Sequence, residues 1–413
     1  MGQPKMYFLI RRIKFSGSGS MKFNPRFIFL FLTTGCFLVT FLGSESGKKS
    51  IRLFEFLRFE NGIRPVSFHP ESDTIRDKDS GRLLDSAADC KPCHKVVYGN
   101  WNRSRHKVAH TNEIYRSSFS QEPMQWCENC HSPLRSSLDQ TPFKPEEGIS
   151  CNVCHVRQGK ILSSKDPNPS RKKYHEYILI ESFGTEELCA SCHQFNFPTW
   201  LSLKDHISPF EYSNLNMQDT VNEWRHSGFA NESNCIDCHL APSTNNTHSF
   251  RGGHSISELK KSLELEAEYV GPRTIEVRII SLGIGHSYPT GDLFRALRLK
   301  VYSESGKFRE EFILRKLYRN ATKEEKEKSN EPRILESDTR IPAPSGNRNS
   351  AQKEFFFEAS DRPKKLKLEL WIDYLNDTEK IFSHLKRKET LKKISSETIR
   401  IRGRENFTEK DTG

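Results

Sequence analysis

From about Glu258 onward the chain alternates apolar and polar residues at period two: S-L-E-L-E-A-E-Y-V, T-I-E-V-R-I-I, A-L-R-L-K-V-Y, F-R-E-E-F-I-L, K-E-F-F-F-E-A and K-L-K-L-E-L-W-I-D-Y. That period sends successive side chains to opposite faces of a strand. Bounded by Gly, Pro, Asn and Ser, the runs predict strands with one buried and one wet face, hence an antiparallel β-sandwich-like domain over residues 258–385. Lys323 to Lys328 reads as a mixed-charge loop or short helix, and residues 386–413 read as a polar tail.

A second pattern lies near the N-terminus. Phe27 to Gly43 is an uncharged apolar stretch of 17 residues behind Lys22 and Arg26. It is long for a signal-peptide core and short for a membrane span, so residues 21–45 predict either a cleaved signal peptide or a retained membrane anchor. Met21 opens that stretch, which makes residues 1–20 an extension or a mis-assigned start. Cys36 reads as part of the apolar segment, with lipidation as the alternative. Residues 46–84, which include the charged run E-S-D-T-I-R-D-K-D-S-G, read as a linker.

Between the linker and the strands stand five copies of Cys-x-x-Cys-His: Cys90, Cys93 and His94; Cys127, Cys130 and His131; Cys151, Cys154 and His155; Cys189, Cys192 and His193; Cys235, Cys238 and His239. They use ten of the eleven cysteines. On a helical turn, positions i, i+3 and i+4 share a face, so two thiols and an imidazole address one macrocycle. This is the attachment chemistry of covalent c-type haem: two thioethers, and one imidazole on the iron. Structural zinc and a thioredoxin-like redox pair also use Cys-x-x-Cys, but zinc has no rule for the histidine after each pair, and a redox pair does not recur five times. First cysteines are separated by 37, 24, 38 and 46 residues, too unequal for a solenoid repeat. Residues 85–257 therefore predict one pentahaem cytochrome c domain, mostly helical and loop-rich, and the whole chain an α+β protein.

Haem also changes the reading of composition. A hydrophobic content of 35 % is thin for 413 residues, but porphyrin replaces side chains as core. The formal charge of +11 points toward nucleic acid or an anionic membrane, yet five haems bring roughly ten propionates and move the sum toward neutrality. No recognition motif accompanies the charge, so no nucleic-acid partner is expected.

Each iron has a sixth position. Ten histidines remain after the five proximal ones, against only Met124 and Met217 beyond the export segment, so bis-histidine coordination is the expected majority state. W-N-R-S-R-H-K-V-A-H places His106 and His110 at i and i+4. H-S-F-R-G-G-H offers His248 and His254 just after the last motif, and G-I-G-H-S-Y-P-T-G-D offers His286 on a tight loop between predicted strands. For each of these five the alternative is a solvated surface histidine. That alternative is the leading reading for His69, His206 and His384, while His226 is intermediate.

With these motifs the chain resembles the multihaem c-type cytochromes related to the nitrifiers' tetrahaem cytochrome and, more distantly, to hydroxylamine oxidoreductase. The resemblance runs from C-K-P-C-H through W-N-R-S-R-H, C-E-N-C-H-S-P, G-I-S-C-N-V-C-H, S-F-G-T-E-E-L-C-A-S-C-H-Q-F, M-Q-D-T-V-N-E-W-R-H-S and C-I-D-C-H to G-H-S-Y-P-T-G-D, about residues 85 to 295. It implies a mostly helical scaffold of closely packed haem pairs, exported from the cytoplasm, that passes electrons. It also implies distal-ligand roles for His106 and for His286. The fifth motif and the appended strand-rich domain depart from the resemblance, so neither haem order nor ligand pairing carries over from it.

Two functions fit. An electron carrier of the periplasm or cell envelope, working between a quinol-linked donor and an envelope acceptor, needs only the features above. An oxidoreductase acting on a small nitrogen or sulfur compound such as hydroxylamine or nitrite needs one five-coordinate haem with acid–base groups and cations beside it. R-K-K-Y-H-E-Y, Arg171 to Tyr177, is the run with that chemistry, its other reading being a polar surface loop.

Overall fold

The computed structural model describes residues 75–121, 123–134, 144–205, 211–240, 248–306, 309–359, 362–375, 385 and 387–403. Residues 1–74, among them the N-terminal apolar segment with Cys36 and His69, and also His206 and His384, lie outside the described residues. Among those described, no helix is long and apolar enough to cross a membrane.

The motif-bearing half is built from helices of four to nine residues. Local capping starts several of them. Ser86 accepts from the Ala88 amide while Asp89 accepts from the Ser86 amide, and Asn234 and Asp237 make the same reciprocal box around C-I-D-C-H. Thr185 caps the helix Glu186–His193. A polar cap three residues before an acidic one satisfies amides that a short helix leaves orphaned. The motif thus carries its own start signal.

Five short strands interrupt these helices, which corrects the expectation of a mostly helical domain. β1 (Val156–Arg157) and β2 (Lys160–Ser163) form a hairpin, and β3 (Tyr177–Leu179) adds in parallel to β2. The hairpin turn is Gln158-Gly159, with φ of 51° and 70°, the left-handed pair that matches strand twist. β4 (Gln194–Pro198) and β5 (Tyr212–Asp219) pair antiparallel. β1 and β4 each begin at the residue after a motif histidine, so the chain leaves His155 and His193 extended. Apolar clusters here are small: Leu162 with Ile180, and Ile75 with Leu84 and Val156. The second cluster also revises the linker, because residues 75–84 are folded, with Arg76 bridged to Leu83.

The strand-rich half holds β6 (Leu263–Tyr269), β7 (Thr274–Leu282), β8 (Ala296–Ser303), β9 (Arg309–Leu314), β10 (Lys316–Asn320), β11 (Arg333–Asp338), β12 (Ser350–Glu358), β13 (Lys365–Asp373) and β14 (Leu391–Arg400). A three-stranded sheet of order β12-β7-β6 and a four-stranded sheet of order β14-β13-β8-β9 share one apolar core. Ile275, Val277 and Ile279 of β7 and Leu366, Leu368, Leu370 and Ile372 of β13 are fully buried at alternate positions. Each such side chain contributes roughly 1.5–3 kcal/mol by leaving water. β14 corrects the reading of residues 386–413 as a polar tail, since it pairs along the length of β13. Its sequence L-K-K-I-S-S-E-T-I-R has too few apolar residues to announce itself. It is an edge strand that buries Ile394 and Ser395 and packs Ile399 against the core.

The helix Lys323–Ser329 is capped by a Thr322–Glu325 box and separates β10 from β11. This hairpin reaches the motif half. Arg340, just beyond it, is buried and pairs with Glu223 at 2.7 Å and Asp338 at 2.7 Å, and donates to the Pro289 carbonyl at 3.1 Å. Burial alone would raise the Asp338 carboxyl, but hydrogen bonds and charge from Arg340 outweigh it and hold the group below the usual carboxylate range. A carboxyl depressed by folding stabilises the fold above its unfolded pKa, and that contribution disappears as pH falls through the folded value. We expect the junction to loosen below about pH 4, visible as amide exchange rising first at residues 338–341 in a pH series. Unchanged protection there down to pH 2 would contradict this.

Candidate haem-binding site

Four motifs lie on helical turns: Gln125–His131, Cys151–His155, Glu186–His193 and Cys235–His239. In the first motif Cys90 closes one helix and His94 precedes the next, its amide bonded to the Cys90 carbonyl at 2.9 Å. All ten motif cysteines and all five motif histidines line one cavity of about 2220 Å³. A single small-molecule site occupies about 300–1,000 Å³, so this space suits several large groups.

The thiols touch across motifs. Cys90 hydrogen-bonds Cys151, Cys130 hydrogen-bonds Cys192, and Cys189 hydrogen-bonds Cys235, all as free thiols. Cys154 lies within electrostatic range of Cys192 and Cys189. The first motif therefore neighbours the third, the third neighbours the fourth, and the fourth neighbours both the second and the fifth. Zinc would need three or four donors converging on a point. Among the described residues no group of three His, Cys, Asp or Glu does so.

Imidazoles face one another in pairs. His106 and His193 have ring centroids 6.4 Å apart, His155 and His248 6.0 Å, and His239 and His286 6.3 Å with planes within 5°. Two nitrogens each about 2 Å from one metal stand about 4 Å apart, and the two ring radii bring the centroids to about 6 Å. Burial above all, helped by neighbouring imidazoles, pushes His106 to about 3 and His155 and His193 to about 4, so each ring is neutral, the form a metal requires. His175 Nδ1 and His248 Nδ1 are buried without a hydrogen-bond partner. Such a nitrogen is costly unless something in the cavity takes it. The residues present fit covalent haem: paired thiols on helical turns, neutral facing imidazoles, and a common cavity.

Backbone geometry places these rings. Gly148, at φ +57°, lies where a Cβ would come within 2.5 Å of the His106 carbonyl, and this allows the Ile149 amide to bond that carbonyl at 3.0 Å. His248 and Phe250 adopt left-handed φ of 67° and 46°, at a cost of roughly 1–2 kcal/mol each. A Cβ on Gly285 would meet Phe229 at 3.1 Å, so the His286 loop approaches the motif half as closely as glycine permits.

The other candidates have different neighbours. His110 is placed beside Glu128, at 3.5 Å, and Tyr115. His254 stacks on Tyr374 at 4.3 Å and 11°, with its Nε2 3.4 Å from Arg295. His226 bonds the Asn222 carbonyl. His131 stacks on Tyr115, centroids 4.0 Å apart and 14° between planes, and among the described residues no histidine ring pairs with it at the spacing of the other three. His175 stands in the charged run R-K-K-Y-H-E-Y, where sequence alone carries no ligand signal. It lines the cavity and lies within electrostatic range of His94. The run R-K-K-Y-H-E-Y thus supplies an imidazole to the cavity. Proximity to the first motif was the missing signal, and only folding creates it.

A family model described as "Cytochrome c554 and c-prime" matches residues 89–156 and 188–261. None of the curated proteins matches the chain. Among solved structures it is similar to a penta-heme cytochrome c552 from Thermochromatium tepidum, at 19 % identity and TM-score 0.58 over 76 % of this chain and 98 % of that one. A domain of the outer membrane lipoprotein Omp28 from Porphyromonas gingivalis aligns at 7 % identity and TM-score 0.15 over 34 % of this chain and 87 % of that one, which carries no argument. The five motifs and the family match over the stretches that carry them support a multihaem c-type cytochrome, and the chain shares its fold with a penta-heme cytochrome.

Proposed function

We propose that the chain is a pentahaem electron-transfer cytochrome of the periplasm or cell envelope, akin to the nitrifiers' tetrahaem cytochrome. One observation carries the reading: three imidazole pairs, 6.0 to 6.4 Å apart, inside a cavity lined by every motif thiol. Haem iron supplies a reversible one-electron change, which a protein tunes by axial ligand, burial and hydrogen bonding. The five cysteine pairs hold the groups, and His94, His131, His155, His193 and His239 are proximal. His106 serves the fourth motif, His248 the third, His286 the fifth and His175 the first. Nδ1 of His131 bonds the Ala109 carbonyl, that of His239 the Arg251 carbonyl and that of His286 the Ser287 carbonyl, so each ring is oriented with Nε2 free for metal. Cys93 and Cys238 are exposed, which makes the first and fifth motifs the ends open to a quinol-linked donor and an envelope acceptor.

Five covalently bound haems per chain are expected from pyridine haemochrome assay, with a red, peroxidase-active band surviving a denaturing gel. Loss of colour on denaturation would overturn the haem assignment, and a count of four would overturn the pentahaem reading alone. The ferric protein is expected to be almost wholly low-spin. The Tyr115-stacked ring of His131 favours a second reading, an oxidoreductase of small nitrogen or sulfur compounds at the second motif. A high-spin signal from about one haem in five, perturbed by hydroxylamine or nitrite, would decide for it.

A further inference from the structure

One wall of the cavity is cationic. Arg105, Tyr288, Arg295, His254 and Tyr374 line it together. Arg295 Nη1 donates to the Thr290 carbonyl at 2.8 Å, and its guanidinium lies 6.0 Å from the Tyr374 ring centre. Gly253 gives it room, since a Cβ there would stand a tight 3.2 Å from Arg295 Nη1. Among the described residues neither Arg105 nor Arg295 has a carboxylate partner. Asp292, three positions from Arg295, uses its Oδ1 on the Phe294 amide.

Two polar atoms of this wall are buried with no hydrogen-bond partner: Arg295 Nε and the Tyr288 hydroxyl. Arg295 is half-buried and Arg105 exposed to the open space, so their charges lie at the cavity without a counter-charge, and a donor closed off from water without a partner, as Arg295 Nε is, is costly. His254 does not relieve the positive field by losing a proton of its own. Burial, then Arg295 and Arg105, pushes it to about 2, so it is already neutral. The field reaches the motifs: Arg295 is within electrostatic range of His193, and Asp292 of His131.

We propose that Arg105, Arg295 and Tyr288, backed by His254 on Tyr374, form a binding site for a carboxylate-sized oxyanion between the second and fourth motifs. The inference rests on the haem reading above. Two sources share this chemistry, a haem propionate held within the cavity and a small soluble oxyanion entering it. In both cases the planar, two-oxygen anion matches the guanidinium fork and the phenol donor.

The test uses the full-length, haem-loaded protein with Arg295→Gln, Arg105→Gln and Arg295→Lys variants. Removing a positive charge beside a haem disfavours its reduced state. A redox titration of Arg295→Gln is expected to lower one midpoint by a tenfold change in its reduction equilibrium, about 59 mV for one electron, while Arg295→Lys stays near wild type. Sodium nitrite added to the ferric wild type separates the sources. A saturable optical change lost in Arg295→Gln identifies a soluble oxyanion, and no change alongside a lowered midpoint identifies a propionate. If Arg295→Gln does not fold, Arg105→Gln serves for both measurements. Unmoved midpoints together with no response to nitrite overturn the site. Haem content measured on the same samples keeps that outcome apart from failure of the cytochrome reading.

Discussion

Replacing His286 by alanine is expected to turn one haem from low spin to high spin while the others stay low-spin. The ring of His286 lies parallel to that of His239, 6.3 Å away, and its Nδ1 is held by the Ser287 carbonyl at 3.0 Å, so Nε2 faces the fifth motif. The loop that carries it belongs to the strand-rich half. It is held against the motif half by close approach of Gly285 to Phe229, by Thr290 bonding Thr220 and Glu223, and by the buried Arg340–Glu223 pair. On the proposed coordination the strand-rich half would serve the redox site by presenting a ligand. Electron paramagnetic resonance of His286→Ala should show a high-spin signal from about one haem in five. His286→Met should keep that haem low-spin and raise its midpoint, because a thioether favours the reduced iron. A fully low-spin alanine variant with unchanged midpoints would remove His286 from the coordination scheme.

Arg298→Ala is the substitution expected to cost the most stability. Arg298, on β8, is 6 % exposed and Asp373, at the end of β13, is 0 % exposed; Nε and Oδ2 are 2.7 Å apart. Arg298 Nη1 also reaches Glu311 of β9 at 3.2 Å, so the side chain ties three neighbouring strands. Removing one partner of a buried ion pair strands the other charge, at a cost of about 3–5 kcal/mol. The denaturant midpoint, followed by the far-UV strand signal, should fall with little change in slope. Replacing both residues by apolar side chains of similar volume should recover most of the loss. A cost under about 1 kcal/mol for the single variant would mean that water or a neighbouring cation solvates Asp373. Tyr374 follows directly in the chain and stacks on His254, so a loosened β13 should also disturb the cationic wall.

Six strands were legible as period-two runs because one face of each is dry, and β6, β7, β8, β9, β12 and β13 coincide with those runs. Strands β10, β11 and β14 were not. All three lie where burial is slight or one-sided, and their pairing comes from a neighbour already in place. The short strands after His155 and His193 were hidden for a related reason. They are two and five residues long, and their partners hold them more than their own preferences do.

The candidate site divides in the same way. The proximal half of each motif is local chemistry within five consecutive residues, and spacing alone determines it. Of the five candidates singled out for distal roles, His106, His248 and His286 meet partner imidazoles, whereas His110 and His254 keep other company. No local rule separates these groups. The distance from His106 to His193 spans 87 positions, and that from His239 to His286 spans 47; only packing brings such pairs to one spacing. His175 shows the converse, an imidazole in a charged loop that becomes a cavity wall once β2 and β3 pair beneath it.

By itself the sequence determined that two thiols and an imidazole recur five times in the geometry of covalent haem attachment, and that an antiparallel strand-rich region follows. Both are properties of residues within a few positions of each other, where helix and strand periodicity dictate which side chains share a face. Which imidazole stands opposite which, which motifs touch, and that the strand-rich half reaches back with His286 and Arg295 were decided only by the tertiary structure. Such contacts join positions far apart in the chain, and the burial that makes them favourable exists only after the two halves have closed on a common cavity.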